Sequence, residues 1–187
     1  MRLIETGLPG LVLLEPRVFR DQRGFFLETY IESVFHSLGI SARFVQDNHA
    51  YSVQSGVLRG LHFQRPPHAQ AKLVWVVRGK VLDVAVDLRR GSPTFGRHHA
   101  VELSAENMLR FFVPRGFAHG YMTLTPDAEF LYKVDAPYAA AADAGLLWSD
   151  PDLGIAWPAA EPILSPKDRL LPRLKDFDTP FVYEAPL

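Results

Sequence analysis

The chain has no cysteine among its 187 residues, and that absence removes disulfide bonds, thiolate nucleophiles and Cys-ligated zinc together. It has no surplus of either charge: 20 Lys and Arg stand against 21 Asp and Glu, a formal net charge of -1. No basic field is available to hold nucleic acid and no acidic tail suggests a solvating role, so any anionic ligand has to be met by local cations. No apolar run approaches the roughly 18 residues that span a bilayer, and the opening stretch MRLIETGLPG has no apolar core of a secretory signal. The expectation is a soluble, unprocessed, cytoplasmic protein that binds neither nucleic acid nor membrane. Helical patterning is scarce as well. Apolar material is not: it makes up 48% of the residues, enough for the core of one ordinary domain over 1–187.

That material comes in short runs of period two, separated by Gly, Pro, Asn and Asp, the pattern of an all-β sandwich or barrel. Over Lys72–Asp87, a β-branched and aromatic run from Leu73 to Val77 meets Arg78-Gly79-Lys80, and then Leu82, Val84 and Val86 alternate with Asp83, Ala85 and Asp87. This predicts a hairpin. Further strands are expected over Leu11–Leu14, Phe25–Tyr30, Phe44–Ala50, His99–Leu103, Leu109–Val113 and Glu129–Val134. Helical spacing of Val34, Phe35 and Leu38, ended by Gly39, predicts one short helix over Ile31–Leu38. Ala139–Ala142 reads as a loop. From Trp148 onward, Pro151, Pro158, Pro162, Pro166, Pro172 and Pro180 forbid long elements, yet Trp157, Ile163, Leu164 and Leu171 can pack, so an ordered C-terminal wrap is expected.

Two β-patterned stretches are interrupted by polar and cationic residues: Gly56-Val-Leu-Arg-Gly-Leu-His62-Phe-Gln64 and Pro114-Arg-Gly-Phe-Ala-His119. Both resemble cupin motifs. In a metal-binding cupin the first would continue with a second His and a Glu, but here Gln64 takes the place of that His, and His68 and Ala69 stand where the Glu belongs. Two imidazoles without a carboxylate make a poor divalent site, which leaves these histidines for acid–base work or for hydrogen-bonded places in the core. Lys72 leads directly into an apolar strand and can point into the sandwich or to solvent; if buried, its ammonium needs an anion or a polarised oxygen. Arg59 lies three residues before His62, a spacing that puts the two on opposite faces of a strand unless a bulge intervenes. Tyr132 and Tyr138 read equally as core aromatics with a wet hydroxyl.

Taken together, Phe19-Arg-Asp-Gln-Arg23-Gly-Phe-Phe-Leu-Glu28, Phe44-Val-Gln46-Asp-Asn48-His, Val57-Leu-Arg59-Gly-Leu-His62-Phe-Gln, Lys72-Leu-Val, Asp83-Val-Ala-Val-Asp-Leu-Arg, Ser92-Pro-Thr-Phe-Gly, Pro114-Arg-Gly-Phe-Ala-His119-Gly and Leu164-Ser-Pro-Lys167-Asp168 resemble the dTDP-4-dehydrorhamnose 3,5-epimerases. The matches run in order from Phe19 to Asp168; Ala50, where the family more often has Ser, is one departure. The resemblance implies a cupin jelly roll, a homodimer, no cofactor, and a dTDP-linked 4-keto sugar as substrate. The C3 and C5 hydrogens of such a sugar lie α to a carbonyl, so each can leave as a proton if the enolate is stabilised. By resemblance, His62 is the base, Asp168 its carboxylate partner, Lys72 the cation facing the C4 oxygen, and Tyr132 the acid on the opposite face. Arg59, with His119 and Lys167, would meet the diphosphate. Gln46, Asn48, Tyr138 and Asp143 would serve substrate binding, and Phe19, Arg23, Phe26 and Glu28 lie on a segment that crosses to the neighbouring subunit.

Three rivals are set against this reading. Enzymes of similar sequence invert only C5 or only C3; a metal-dependent cupin would need the ligands that are missing; and a purely sugar-binding cupin would need the pocket but not the His, Lys and Tyr.

Overall fold

The computed structural model describes residues 1–184. Its elements in chain order are β1 (Arg2–Glu5), β2 (Val12–Glu15), β3 (Val18–Asp21), β4 (Gly24–Leu27), α1 (Glu32–Ser37), β5 (Gln46–Ser52), β6 (Leu58–Gln64), β7 (Lys72–Arg78), β8 (Lys80–Asp87), β9 (His98–Ser104), β10 (Arg110–Val113), β11 (Phe117–Thr123), β12 (Ala128–Val134) and β13 (Asp143–Gly145). The expected all-β class holds. A six-stranded sheet runs β1-β2-β10-β7-β12-β5, a five-stranded sheet runs β13-β6-β11-β8-β9, and among the described residues β3 pairs only with β4. Every pairing between these strands is antiparallel.

The order of buried layers follows from the strand sequences. Val74 and Val76 of β7, Phe111 and Val113 of β10, and Phe130 of β12 meet Val81 and Ala85 of β8, Leu103 of β9, and Phe117 and Tyr121 of β11 in the central cluster between the sheets. The alternate residues Leu73, Trp75 and Phe112 pack outward with Phe35 and Ile40, beneath α1 and the loop that follows it. On the other side, Leu61, Phe63, Val84, Val86 and Ala118 are covered by Leu146, Leu153 and Phe181. Both faces of the central strands are therefore buried, which is why β7 and β8 read as nearly continuous apolar runs.

One expectation is corrected here. Lys72–Asp87 is not a hairpin: β7 is bonded to β10 and β12, β8 to β11 and β9, so the two strands belong to opposite sheets. The turn at Gly79 (φ 74°) carries the chain from one sheet to the other instead of closing a ladder. A β-carbon there would meet Thr125 Oγ1 at 2.5 Å, which demands glycine. Both arrangements reverse the chain over a shared core, and only the competition for strand edges separates them. Smaller differences also follow from tertiary context. The strand expected over Phe25–Tyr30 is cut at Leu27, because Tyr30 turns away to pack edge-on against Phe35 and Phe44. Ala140–Ala142 forms a 3-10 turn within the expected loop. The C-terminal wrap is ordered, with Leu153, Trp157, Leu174, Phe177 and Phe181 against the outer face of the five-stranded sheet, while Ile163 stays 46% exposed.

Candidate active site

The wrap places the first functional group. Ile163 forms a parallel bridge with Val57, held by Leu58 N to Ile163 O at 3.0 Å and Ile163 N to Gly56 O at 2.8 Å. The chain then turns at Ser165, whose hydroxyl accepts from the Asp168 amide at 3.1 Å. Asp168 is thereby buried and lies 2.6 Å, Oδ1 to Nε2, from His62 of β6. Burial would raise this carboxyl, but the hydrogen bond and charge of His62, with the Gly60 amide and Ser165, outweigh it and hold Asp168 below the usual carboxylate range.

A bulge places the second. In the register of β6 on β11, His62 faces His119 but Arg59 faces Tyr121, so three steps on one strand answer two on the other. Arg59 and His62 consequently share the inward face that their spacing alone denies them. Gly60 sits at φ 137°, and a β-carbon there would lie 2.6 Å from the Gly120 Cα, so the two strands can approach only as glycines.

The opposite sheet supplies the remaining groups. Lys72, partly buried at the head of β7, is pulled down to about 8 by burial, with the carboxylates of Asp83 and Asp143 opposing. Tyr132 on β12 is pushed up, also by burial, with Arg59 opposing; its phenol stays protonated at neutral pH and can donate. His62, Lys72, His119, Tyr132, Arg59, Lys167 and Asp168 all line one cavity of about 460 Å³ between the sheets, with Ile163, Leu164 and Ser165 of the wrap on its wall. A larger groove of about 750 Å³ opens elsewhere, beside the loop after α1, and its Asp135 is already occupied by Arg115 and the Ala71 amide.

The other expected residues are distributed around this cavity. Asp143 at the rim accepts hydrogen bonds from Lys167 and, at 3.4 Å, from Tyr138. Gln46 and Asn48 on the edge strand β5 bond to each other at 2.8 Å, and Gln46 Oε1 accepts from the Tyr138 amide at 3.3 Å. Phe19, Arg23 and Phe26 lie apart on the β3–β4 hairpin and line a separate hollow there; Arg23 pairs with Asp21, and Glu28 lies beside Met1 and Arg17. Within one chain, the fold does not bring these four to the cavity.

Two residues escaped sequence reasoning. Asp83 is the fully buried partner of His119, 2.8 Å away; burial pushes both toward their neutral forms, Asp83 up and His119 down. His119 thus lines the cavity with one ring nitrogen held by Asp83. In the sequence Asp83 reads only as a polar member of the alternating run Leu82–Asp87; with both faces of β8 covered, a charge in that run has to be buried and partnered. Tyr121 also lines the cavity, and its position two residues after His119 was the available signal.

The dTDP-4-dehydrorhamnose 3,5-epimerase family model matches residues 5–176. The chain is 50% identical over 169 residues to the dTDP-4-dehydrorhamnose 3,5-epimerase of Shigella flexneri, covering 90% of this chain and 93% of that one. Among solved structures, the Bacillus anthracis enzyme of that name, with TDP and pyrophosphate bound, superposes with TM-score 0.90 at 51% identity, covering 92% of this chain and 98% of that one. The Legionella pneumophila dTDP-6-deoxy-D-glucose-3,5-epimerase in complex with dTDP-4-keto-L-rhamnose superposes with TM-score 0.94 at 44% identity, over 98% and 99% of the two chains. With a cupin-type fold, a cavity that gathers His62, its buried partner Asp168, Lys72 and Tyr132, and likeness of this extent, the chain belongs to the dTDP-4-dehydrorhamnose 3,5-epimerase family.

Proposed function

We propose that this chain is an isomerase that inverts C3 and C5 of dTDP-4-dehydro-6-deoxy-D-glucose, giving dTDP-4-dehydro-L-rhamnose for dTDP-L-rhamnose biosynthesis. The observation that carries the reading is an imidazole and a phenol on opposing walls of one cavity: His62 with Asp168 from the five-stranded side, and Tyr132 from the six-stranded side. With Nε2 of His62 hydrogen-bonded to the Asp168 carboxylate, the other ring nitrogen keeps the lone pair that accepts the α-proton, and Asp168 stabilises the imidazolium formed. The C–H electron pair moves into the enolate, whose oxygen the Lys72 ammonium stabilises. Tyr132 then gives its proton to the opposite face of the carbon, and solvent restores both residues. The same groups serve C3 and C5 in turn, and no redox cofactor takes part.

Arg59, with His119 and Lys167 in support, meets the diphosphate; Gln46, Asn48, Tyr138 and Asp143 bind at the rim. The protein acts as a homodimer of single cupin-like domains in which Phe19, Arg23, Phe26 and Glu28 complete the partner's site. The exposure of Phe19, Phe25 and Phe26 at 46%, 57% and 64% on a hairpin that, among the described residues, pairs only with itself supports this, as does the open edge of β5 beside Gln46 and Asn48. Among the described residues no helix is long and apolar enough to cross a membrane. A cytoplasmic home suits a chain free of cysteine.

The deciding experiment is incubation with dTDP-4-keto-6-deoxyglucose in deuterated water, with NMR locating the label. Deuterium at both C3 and C5 is expected; label at one carbon alone means a single-carbon epimerase, and none means that the cavity does not perform this chemistry.

A further inference from the structure

One wall of the cavity carries a buried hydroxyl. Tyr121 is 5% exposed, and its Oη finds no hydrogen-bond partner among the described residues. A buried hydroxyl left in that state destabilises the folded protein, so its retention calls for a partner that arrives from outside. The ring is held firmly: it stacks on Phe130 with centroids 4.0 Å apart and planes 15° apart. Arg59 is its cross-strand neighbour on β6. The Arg59 guanidinium is only loosely held, by Nη2 to the Tyr51 carbonyl at 3.2 Å and to the Ser52 hydroxyl at 3.4 Å. Ser52 also lies close to the Tyr121 hydroxyl, outside hydrogen-bonding geometry. A neutral O–H donor and a weakly engaged guanidinium, side by side on one wall of the cavity, are a pair of donors suited to one anionic oxygen.

We propose that Tyr121 is a substrate-binding residue whose hydroxyl donates a hydrogen bond to an oxygen of the diphosphate held by Arg59. The inference rests on reading the cavity as a nucleotide-sugar site and adds a donor to it. Binding draws Arg59 off Ser52 and Tyr51, opens the wall beside the phenol, and gives the hydroxyl the acceptor that the protein alone does not supply. The acid Tyr132 remains a separate group on the other sheet, so Tyr121 acts on affinity and not on proton transfer.

The test is Tyr121→Phe, which keeps the ring and its stack on Phe130. Calorimetry with dTDP, with thymidine as the phosphate-free control, is paired with thermal melting of the unliganded proteins. The variant is expected to melt at the same temperature or higher and to bind dTDP about ten-fold or more weakly, as for a lost hydrogen bond to a charged group. Its affinity for thymidine should not change, and KM should rise with kcat within about two-fold of wild type. Unchanged dTDP affinity overturns the proposal. A lower melting temperature, with or without weaker binding, shows that the hydroxyl already bonds within the protein, through Ser52, and overturns it too. If the wild-type protein itself fails to bind dTDP, the nucleotide-sugar reading falls and this inference falls with it.

Discussion

At the residue scale, the site divides its labour between groups whose environments differ. His62 is held at 2.6 Å by a buried carboxylate, Lys72 is brought by burial to about 8, and the Tyr132 phenol is pushed up. Inversion needs a proton to leave one face and another to arrive on the opposite one, so the two ends of that transfer are separable. With His62→Ala the base is gone, and solvent deuterium should no longer enter C3 or C5 at an appreciable rate. With Tyr132→Phe, deuterium should still enter as His62 returns an exchanged proton to the face it came from, while product formation stops. A time course of NMR label against product in each folded variant checks this, and inversion by Tyr132→Phe at the wild-type rate would remove Tyr132 from the mechanism. Lys72 sets a second expectation. Its ammonium is the form that stabilises an enolate, so its contribution is complete below pH 8 and is lost as pH rises through about 8. The pH–rate profile should fall on that alkaline side. Lys72→Met should lose about 10²–10³-fold in kcat and that limb with it, by the scale of other oxyanion-stabilising groups. The folded-state pKa lies below the ordinary 10.5, so the charged form is penalised in the fold. This group's cost to stability is full below about pH 8 and fades as pH rises to the unfolded value.

At the element scale, the site depends on a bulge in β6 and on a strap from the C-terminal wrap. Gly60→Ala would put a β-carbon 2.6 Å from the Gly120 backbone at a φ of 137° that L side chains avoid. The strained backbone alone costs roughly 1–3 kcal/mol, and β6 must move away from β11 to relieve the clash. Arg59 and His62 would then lose their common face. A fall of about 100-fold or more in kcat/KM is expected, as for a displacement of about 1 Å in a catalytic group. Wild-type turnover by a folded Gly60→Ala would show that the bulge does not position the site. The Ser92-Pro-Thr-Phe-Gly segment serves stability instead. Asp87, fully buried, accepts from Arg89, Ser92 and Thr94 and pins the loop between β8 and β9. Burial opposes ionisation there, but these donors hold its carboxyl below the usual range. Asp87→Ala should cost about 3–5 kcal/mol, read from denaturant unfolding, with KM little changed in protein that remains folded. Most strands were legible in the sequence because period-two alternation is local. The bulge was legible only as a conflict, Arg59 and His62 three apart yet both suited to one site. The crossover at Gly79 was not legible as such, since local alternation does not say which edge a strand will join.

At the scale of the whole molecule, the proposed homodimer would cover the exposed Phe19, Phe25 and Phe26 and the open edge of β5. Mixing inactive Arg23→Ala with inactive His62→Ala chains should regenerate some activity, because a heterodimer holds one site free of both changes; no recovery despite demonstrated subunit exchange would argue that each site is built from one chain. Metal dependence is also a property of the assembled fold. Among the described residues no three His, Asp or Glu side chains gather as a divalent ion needs. Activity should survive exhaustive chelation, and loss of turnover restored by a stoichiometric divalent ion would refute the metal-free reading. The sequence by itself determined the all-β class, the broken cupin ligand set and, through its ordered motifs, the family, because these reside in residue identity and in periodicities of two to a few residues. Only the tertiary structure decided that β7 and β8 part into opposite sheets, that Asp83 is the buried partner of His119, and that Asp168 reaches His62 across 106 positions of chain. Those outcomes depend on which edges pair and on what covers each face, and such competitions are settled by the packing of the whole core.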